Sequence, residues 1–249
     1  MHMHSGTTCL VIGGRGFIGA AVAAEAGARG LRVDVAERDD YDRMVGTRYD
    51  IVVNANGNSK KYLAQQQPAL DFDLSVRSVM RALADFPAGL YVQLSSMDVY
   101  PDKSDPACNH EGEPIDGARL SPYGFHKFLA ESLVRRYAAN WLIFRLAGFV
   151  GPGLKKNSVF DLLRGKPLFV HPDSRYQYLH TRDLARILFD LMALDLGLEI
   201  INVAAEGTVS IREMAAWAGR NLEGDAEERP RECCELSVER LKRLLDIPG

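Results

Sequence analysis

Three glycines at a spacing of three residues, Gly13, Gly16 and Gly19, constrain the fold of this chain more than any other feature. They follow a β-prone apolar run at residues 7–12 and precede an alanine-rich stretch at residues 20–29. Glycine lets the backbone turn sharply and lets other atoms come close to it. The pattern therefore predicts a tight turn that connects a buried strand to a helix.

Further β-prone runs alternate with helical patterns along the chain, at residues 31–36, 50–54, 90–94 and 141–146. This alternation predicts an α/β fold, a Rossmann-type doubly wound parallel sheet with helices on both faces. Beyond residue 150 the patterns become shorter and irregular, and too few residues remain for a second domain of usual size. We therefore expect a main domain at residues 1–150 and a small C-terminal substrate-capping region at 151–249, with 176–203 returning to the main domain.

The glycine turn also predicts a phosphate-binding loop, because the N–H groups and the positive dipole end of a helix start would face an anion there. In a strand–turn–helix context the expected ligand is the pyrophosphate of a dinucleotide, held by the glycines with Phe17 and Ile18, and residues 1–150 are then a dinucleotide-binding domain. A bare structural turn is the alternative.

The acidic residue that ends the second strand bears on the choice of cofactor. Glu37 is best placed to hold the adenosine ribose, with Asp34 as the competitor, and this favours NAD. Arg38 and Arg15 would instead suit a ribose phosphate, so NADP remains possible.

A second pattern, Tyr123-Gly-Phe-His-Lys127, places a phenol and an ammonium four residues apart on one face of a predicted helix. A phenol with a pKa near about 10 is a poor base at neutral pH, and we expect the ammonium to lower the pKa of Tyr123. Ser95 and Ser96 follow the fourth strand, at the edge where parallel sheets bind ligands. A surface Tyr–Lys pair and turn serines are the alternatives.

These motifs resemble those of the extended short-chain dehydrogenases/reductases, the NAD-dependent epimerase/dehydratase group. The matching segments run in order along the chain: GGRGFIG at 13–19, VVNANG at 52–57, LSSMDVY at 94–100, SPYGFHK at 121–127, FRLAGFVGPG at 144–153, YLHTRDLA at 178–185 and INVAAEGTVSIREM at 201–214. The resemblance implies an NAD(P)-dependent oxidoreductase or epimerase of nucleotide-linked sugars, and a possible homodimer.

Roles for single residues follow from the same resemblance. It implies that Tyr123 is the acid/base, that Lys127 contacts the nicotinamide ribose and tunes the tyrosine, and that Ser96 hydrogen-bonds the reacting hydroxyl or carbonyl. Ala55 falls in a loop that passes near the cofactor. Arg175 and Arg229 lie near the place where the family clamps a substrate diphosphate.

The chain also departs from the family. Dehydratases of the group carry an Asp-Glu pair where this chain has Met97 and Asp98; Met97 cannot donate a proton, which argues against a dehydratase and leaves Asp98 as a substrate-binding candidate. The stretch from Leu31 to Ile51 is short for the group, so that one strand–helix step is missing or merged.

Composition excludes several other classes. The net charge of −3 and the lack of a long apolar run argue against nucleic acid and membrane as partners. The four cysteines and the scattered histidines show no metal-ligand spacing, and a reducing, cytoplasmic setting is expected. An NADPH-dependent ketone reductase of a deoxysugar nucleotide or smaller carbonyl compound, and a non-catalytic dinucleotide sensor, are the alternative functions.

Overall fold

A six-stranded parallel sheet forms the centre of the structure, a computed structural model that describes residues 4–222 and 228–247. The strands are β1 (Thr8–Ile12), β2 (Arg32–Ala36), β3 (Tyr49–Asn54), β4 (Ala88–Leu94), β5 (Trp141–Leu146), β6 (Gly148–Val150), β7 (Arg175–Tyr176), β8 (Tyr178–His180), β9 (Glu199–Val203), β10 (Val209–Ser210) and β11 (Cys233–Cys234). The helices are α1 (Gly19–Ala28), α2 (Lys61–Gln66), α3 (Pro68–Phe72), α4 (Ser78–Asp85), α5 (Pro122–Tyr137), α6 (Ser158–Leu163), α7 (Thr181–Ala193), α8 (Ile211–Trp217) and α9 (Glu239–Leu245).

The order of the strands in the central sheet is β2-β1-β3-β4-β5-β9, and all neighbouring pairs are parallel. The chain moves outward from β1 to β2 and then returns to the other side of β1 with β3. Ligands of open parallel sheets bind outside the carboxyl ends of the strands at such a reversal. The predicted Rossmann-type doubly wound sheet is confirmed.

The sheet ends at β2, which is the edge strand beside β1. A single 3₁₀ turn, Tyr41–Arg43, is the regular structure between β2 and β3. The predicted missing or merged strand–helix step between Leu31 and Ile51 is therefore confirmed, and among the described residues no further strand pairs with the outer side of β2.

Two apolar layers cover the faces of the sheet. One packs α1 and α7 against the strands, with residues such as Val22 and Leu188 fully buried; the other packs α4 and α5, with Val79 and Val134 buried. Because both faces are covered, the central strands are nearly continuous apolar runs, as parallel strands usually are.

A smaller unit lies beyond β5. Strands β10, β7 and β11 form a three-stranded sheet, and β6 pairs with β8. Helices α6 and α8 pack together around Leu162, Leu168 and Ile211. Among the helices of the described residues, none is long and apolar enough to cross a membrane.

Candidate active site

The glycine turn closes tightly on itself between β1 and α1. Gly13 has a φ of +77°, a conformation that side chains rarely adopt, and the Gly16 N–H donates to the Gly13 carbonyl at 3.0 Å. A Cβ on Gly19 would overlap that carbonyl oxygen. No side chain caps the start of helix α1 at Ile18. The first backbone N–H groups of a helix are a suitable binding site for an anion.

Hydrogen bonds join the turn to its neighbours at the switch point. The Gly13 N–H donates to Ala36 at 2.9 Å, and the Ala55 N–H donates to Ile12 at 3.0 Å. Ala55 therefore lies beside the turn. Phe17 and Ile18 are half-buried and pack against the apolar layer beneath.

Glu37 directly follows β2 and faces the glycine turn. Its carboxylate accepts the Arg15 N–H at 2.6 Å, while the Arg15 guanidinium pairs with Asp40 at 3.1 Å. Arg38 is exposed beside them. Two carboxylates thus border the adenosine end of the expected cofactor site.

Tyr123 and Lys127 both lie on the buried side of α5. The helix begins with a side-chain cap: the Ser121 hydroxyl accepts the Gly124 N–H at 3.2 Å, and Pro122 occupies the first turn. The Lys127 Nζ lies 5.7 Å from the centre of the Tyr123 ring. A Cβ on Gly57 would lie 3.2 Å from that Nζ, so the loop after β3 packs directly against Lys127.

The predicted lowering of the Tyr123 pKa is wrong for the structure. Burial of the phenol raises its pKa, and the negative charges of Asp98 and Asp71 raise it further, while a hydrogen bond with Ser96 acts in the opposite direction. Burial also lowers the pKa of Lys127, against the effect of the nearby carboxylates. Desolvation therefore outweighs the attraction between ammonium and phenolate on which the sequence argument relied.

Ser96 lies where β4 ends, next to a buried carboxylate. Its hydroxyl donates to Asp98 at 3.0 Å. Asp98 is 4% exposed, and its carboxylate accepts hydrogen bonds from two ammonium groups, that of Lys61 at 2.8 Å and that of Lys103 at 3.1 Å. These lysines outweigh burial and lower the pKa of Asp98, so that it is ionised at neutral pH.

A second buried carboxylate, Asp71, lies under the same helix. It accepts from His126 at 2.6 Å, from Asn58 at 2.7 Å and from Ser75 at 3.2 Å. Asp71 raises the pKa of Lys127, which keeps that side chain closer to its charged form. The π-helical turn Asp73–Arg77 continues the chain from α3 into α4 at this point.

A chain of buried polar groups holds β4, β5 and α5 in register. The Ser95 hydroxyl donates to Glu131 at 2.5 Å, and the Arg145 guanidinium donates to both Glu131 oxygens at 3.1 and 2.8 Å. The same guanidinium donates to the Tyr100 hydroxyl at 2.9 Å, which donates to Asn202 at 2.9 Å. The strand end that carries Ser96 is thereby tied to the helix that carries Tyr123.

A cleft of about 470 Å³ opens in front of Tyr123 and Asp98. Tyr123 and Asp98 lie in its wall together with three cationic side chains, Lys61, Lys103 and Arg231. Tyr123 therefore faces a space large enough for a small-molecule ligand.

Neither of the two arginines predicted to clamp a diphosphate is among the described residues that line this cleft. Arg175 donates to the Thr208 side chain and carbonyl at 3.0 and 2.9 Å and pairs with Glu213 at 3.1 Å. Arg229 is exposed. Arg231, two residues further along, occupies the cleft wall instead.

Sequence reasoning missed Lys61, Lys103, Asp71, Glu131 and Arg231 as parts of the site. Lys61 lies 37 residues and Asp71 55 residues from the partners they meet, Asp98 and His126. No local spacing connects such pairs. A weak signal existed for Glu131, since it lies one helical turn beyond Lys127 on the same face of α5.

The fold and the cluster together define a Rossmann-type protein with a candidate catalytic site at the switch edge of its sheet. The chain belongs to the NAD dependent epimerase/dehydratase family, whose family model matches residues 9–204. Among curated proteins, no sequence matches this chain.

Solved structures of the same fold cover nearly the whole chain at low identity. MoeE5, solved in complex with UDP-glucuronic acid and NAD, is 21% identical with a TM-score of 0.78, covering 96% of this chain and 93% of its own. UDP-glucuronic acid 4-epimerase from Bacillus cereus, in complex with UDP-glucuronic acid and NAD, is 15% identical with a TM-score of 0.79, covering 98% and 94%. The dTDP-4-dehydrorhamnose reductase from Bacillus anthracis, in complex with NADP, is 14% identical with a TM-score of 0.79, covering 97% and 93%.

Proposed function

We propose that this protein is an NAD(P)-dependent oxidoreductase or epimerase that acts on a nucleotide-linked sugar. The observation that carries the proposal is the clustering of Ser96, Tyr123 and Lys127 beyond the carboxyl ends of the strands, where Tyr123 lines the cleft. A buried phenol with a hydroxyl and an ammonium beside it can pass a proton to or from a ligand oxygen.

A nicotinamide dinucleotide fits the residues present. The glycine turn and the uncapped start of α1 suit its pyrophosphate, and Lys127 beside Gly57 suits the ribose next to the nicotinamide. When bound, such a cofactor supplies or accepts a hydride. Tyr123 then holds the proton that the ligand oxygen gains or loses, and Ser96 hydrogen-bonds the same oxygen.

The carboxylates beside the glycine turn favour NAD over NADP. Glu37 and Asp40 both engage Arg15, so a 2′-phosphate would enter a site already bordered by two negative charges. Arg38 and Arg15 are exposed cations at this edge that would suit NADP instead.

The three cations of the cleft wall, which Asp98, Asp102 and Glu232 also line, support a substrate with a diphosphate. Lys61, Lys103 and Arg231 face the space in front of Tyr123, and ammonium and guanidinium groups are the usual partners of phosphate oxygens. The printed ligands of MoeE5 and of the Bacillus cereus epimerase, which are UDP-linked sugars with NAD, are of this class.

Hydride exchange tests the proposal. Purified protein is incubated with NAD and with UDP- and dTDP-linked sugars, and transfer of deuterium from a labelled sugar to the nicotinamide is followed by mass spectrometry. We expect transfer with at least one nucleotide sugar. Cofactor binding without transfer from any of them would contradict the proposal and favour a dinucleotide sensor.

A ketone reductase of a deoxysugar nucleotide or smaller carbonyl compound is the second candidate, because such a reduction needs a proton donor and burial of the Tyr123 phenol favours its protonated form. A phenol that stays protonated at neutral pH is ready to donate to a carbonyl oxygen. The cofactor separates the two functions: NAD retained through purification indicates an epimerase that recycles its hydride, and weakly held NADPH consumed with substrate indicates a reductase.

Replacing Arg231 with alanine is expected to weaken binding of UDP by about 10-fold or more, since a charge-assisted hydrogen bond is worth about 1.5–3 kcal/mol. Arg229→Ala is the matched control, because it removes the same charge two residues away, outside the cleft wall. Titration calorimetry with UDP measures both variants. Equal losses in the two variants would show a general effect of net charge and would contradict a role for Arg231.

A further inference from the structure

The loop that follows β3 runs between the two halves of the candidate site. At one end it packs on the glycine turn, where a Cβ on Gly13 would lie 3.2 Å from the backbone N and Cα of Asn56. At the other end it meets α5, where a Cβ on Gly57 would lie 3.2 Å from the Lys127 Nζ. Residues 55–58 therefore connect the place expected for the pyrophosphate with the place expected for the ribose next to the nicotinamide.

The two ends of this loop are held by different contacts. The Ala55 N–H donates to the Ile12 carbonyl at 3.0 Å, and the Asn56 N–H donates to the Asn54 side chain at 3.1 Å. The first end is thus fixed by the strands of the central sheet. Residues 57–60 lie after β3 and before α2, so their course depends on other contacts.

Asn58 fixes this second end with its whole side-chain amide. Its Nδ2 donates to Asp71 at 2.7 Å and to the Lys60 carbonyl at 2.9 Å, and its Oδ1 accepts the Lys60 N–H at 2.8 Å. A side-chain amide has two N–H donors, and both are used here. The Asn58 backbone N–H donates to the Ser75 hydroxyl at 3.3 Å. The course of residues 57–60 is therefore set through Asn58.

Asp71 is the buried group on which these hydrogen bonds converge. Its Oδ1 accepts from Asn58 and, at 3.2 Å, from the Ser75 hydroxyl, while its Oδ2 lies 2.6 Å from the His126 Nδ1. A carboxylate has no proton to donate, so the His126 Nδ1 carries the hydrogen of that bond. Asp71 is fully buried, and one of its oxygens holds the loop while the other holds α5.

The contact with His126 fixes the helix directly beside Lys127. His126 precedes Lys127 on α5, and both residues are buried. The ring of Phe72, which follows Asp71 on α3, packs edge-on against the His126 ring with 5.6 Å between the centroids. Two neighbouring side chains of α3 therefore hold α5 at the residue before Lys127.

We propose that Asp71 is a positioning residue for the dinucleotide: through Asn58 and His126 it holds residues 57–60 against Lys127, and so shapes the half of the site that receives the nicotinamide ribose. The role rests on the binding of a nicotinamide dinucleotide, which is part of the proposed function. Because the glycine-turn end of the loop has its own supports, loss of Asp71 should affect the two halves of the dinucleotide unequally.

Two ligands measure this unequal effect. ADP contains the adenosine and the pyrophosphate, whereas NAD also contains the nicotinamide ribose. Titration calorimetry gives the dissociation constants of both for the unsubstituted protein and for Asp71→Ala. We expect Asp71→Ala to bind NAD about 10-fold more weakly, because residues 57–60 must then be ordered as the ligand binds, and to bind ADP with less than about a 2-fold change.

Asp73→Ala is the matched control. It removes an exposed carboxylate two residues away, which pairs with Arg77 instead of with the loop. Both dissociation constants should be unchanged in this variant. A selective loss of NAD binding in Asp73→Ala as large as in Asp71→Ala would overturn the proposal, because it would show that any substitution in this segment has the effect.

Asp71→Asn separates position from charge. Burial lowers the pKa of Lys127, and the negative charge of Asp71 opposes that effect, so Asp71 could act on Lys127 by its charge alone. An asparagine lacks the charge, but its amide oxygen still accepts hydrogen bonds from Asn58 and Ser75. We expect Asp71→Asn to bind NAD nearly as tightly as the unsubstituted protein. A loss as large as in Asp71→Ala overturns the positioning role in favour of the charge.

Unchanged NAD binding in Asp71→Ala, or equal losses for NAD and ADP, overturns the proposal as well. If Asp71→Ala does not fold, Asn58→Ala gives an independent test. It removes the link between Asp71 and the loop but leaves Asp71 bonded to Ser75 and His126. The same selective loss of NAD binding is expected, and unchanged or equal binding of the two ligands again overturns the proposal.

Failure of this role and failure of the proposed function have different signatures. Hydride transfer together with unchanged NAD binding in Asp71→Ala means that the enzyme is real and that Asp71 does not position the loop. A selective loss of NAD binding without hydride transfer from any nucleotide sugar means that Asp71 has the proposed role but that the enzymatic function is wrong. If the unsubstituted protein does not bind NAD, both are overturned.

Discussion

Turnover is expected to fall by about 10²- to 10⁴-fold in Tyr123→Phe, because the substitution removes the hydroxyl that holds the transferable proton. The ring itself remains, so the packing of α5 against the 3₁₀ turn Met97–Val99 should be retained. Binding of the dinucleotide should change little, since the glycine turn is untouched. Deuterium transfer measures turnover, and fluorescence titration with NAD measures binding.

Tyr137→Phe is the control for this prediction. Tyr137 ends the same helix and is 58% exposed, so its variant loses the same hydroxyl away from the cleft and should keep full activity. Persistence of turnover in Tyr123→Phe would show that another group moves the proton. A similar loss in both variants would point to an effect on α5 rather than on chemistry.

Glu131→Ala is expected to lower the free energy of unfolding by about 3–5 kcal/mol, because it leaves the Arg145 guanidinium buried without a countercharge. The two side chains are 2% and 3% exposed, so water cannot replace the lost partner without a local opening. The variant also removes the acceptor of the Ser95 hydroxyl. Urea denaturation followed by circular dichroism gives the change in unfolding free energy.

Asp73→Ala supplies a surface comparison for the same measurement. The Asp73–Arg77 pair has side chains 45% and 73% exposed, and an exposed pair contributes at most about 1 kcal/mol. Glu131→Ala combined with Arg145→Met should recover part of the loss, because the double variant leaves no buried charge unpaired. If Glu131→Ala is as stable as Asp73→Ala, the buried Glu131–Arg145 pair does not contribute the expected free energy of unfolding.

Local signals in the sequence were enough for much of the fold. Ser121 and Pro122 at the start of α5, and the reciprocal hydrogen bonds of Ser210 and Glu213 at the start of α8, are formed as such residues predict. The glycine turn also lies where it was predicted, between β1 and α1. These features depend on residues within one turn of each other, so the chain order alone carries the information.

For the candidate site, the sequence predicted the positions of several residues correctly but not the pKa shift of Tyr123. Tyr123 and Lys127 share a face of α5 because of their spacing, and Ala55 lies beside the glycine turn because β1 and β3 are neighbours. The predicted direction of the Tyr123 pKa shift was wrong, because the spacing of residues along a helix does not show how deeply the helix is buried.

Short-range sequence patterns are enough to predict the parallel sheet, the glycine turn and the helix that carries Tyr123. They do not predict which charged side chains line the cleft. Arg231 rather than Arg229 faces it, and Lys61 and Lys103 converge on one Asp98 oxygen, because β4, α2 and the segment before β11 are brought together across long stretches of chain. The interaction between two charges weakens with the distance between them and strengthens when they are buried. Both the distance and the burial are set by the tertiary packing, so the sequence alone does not give them.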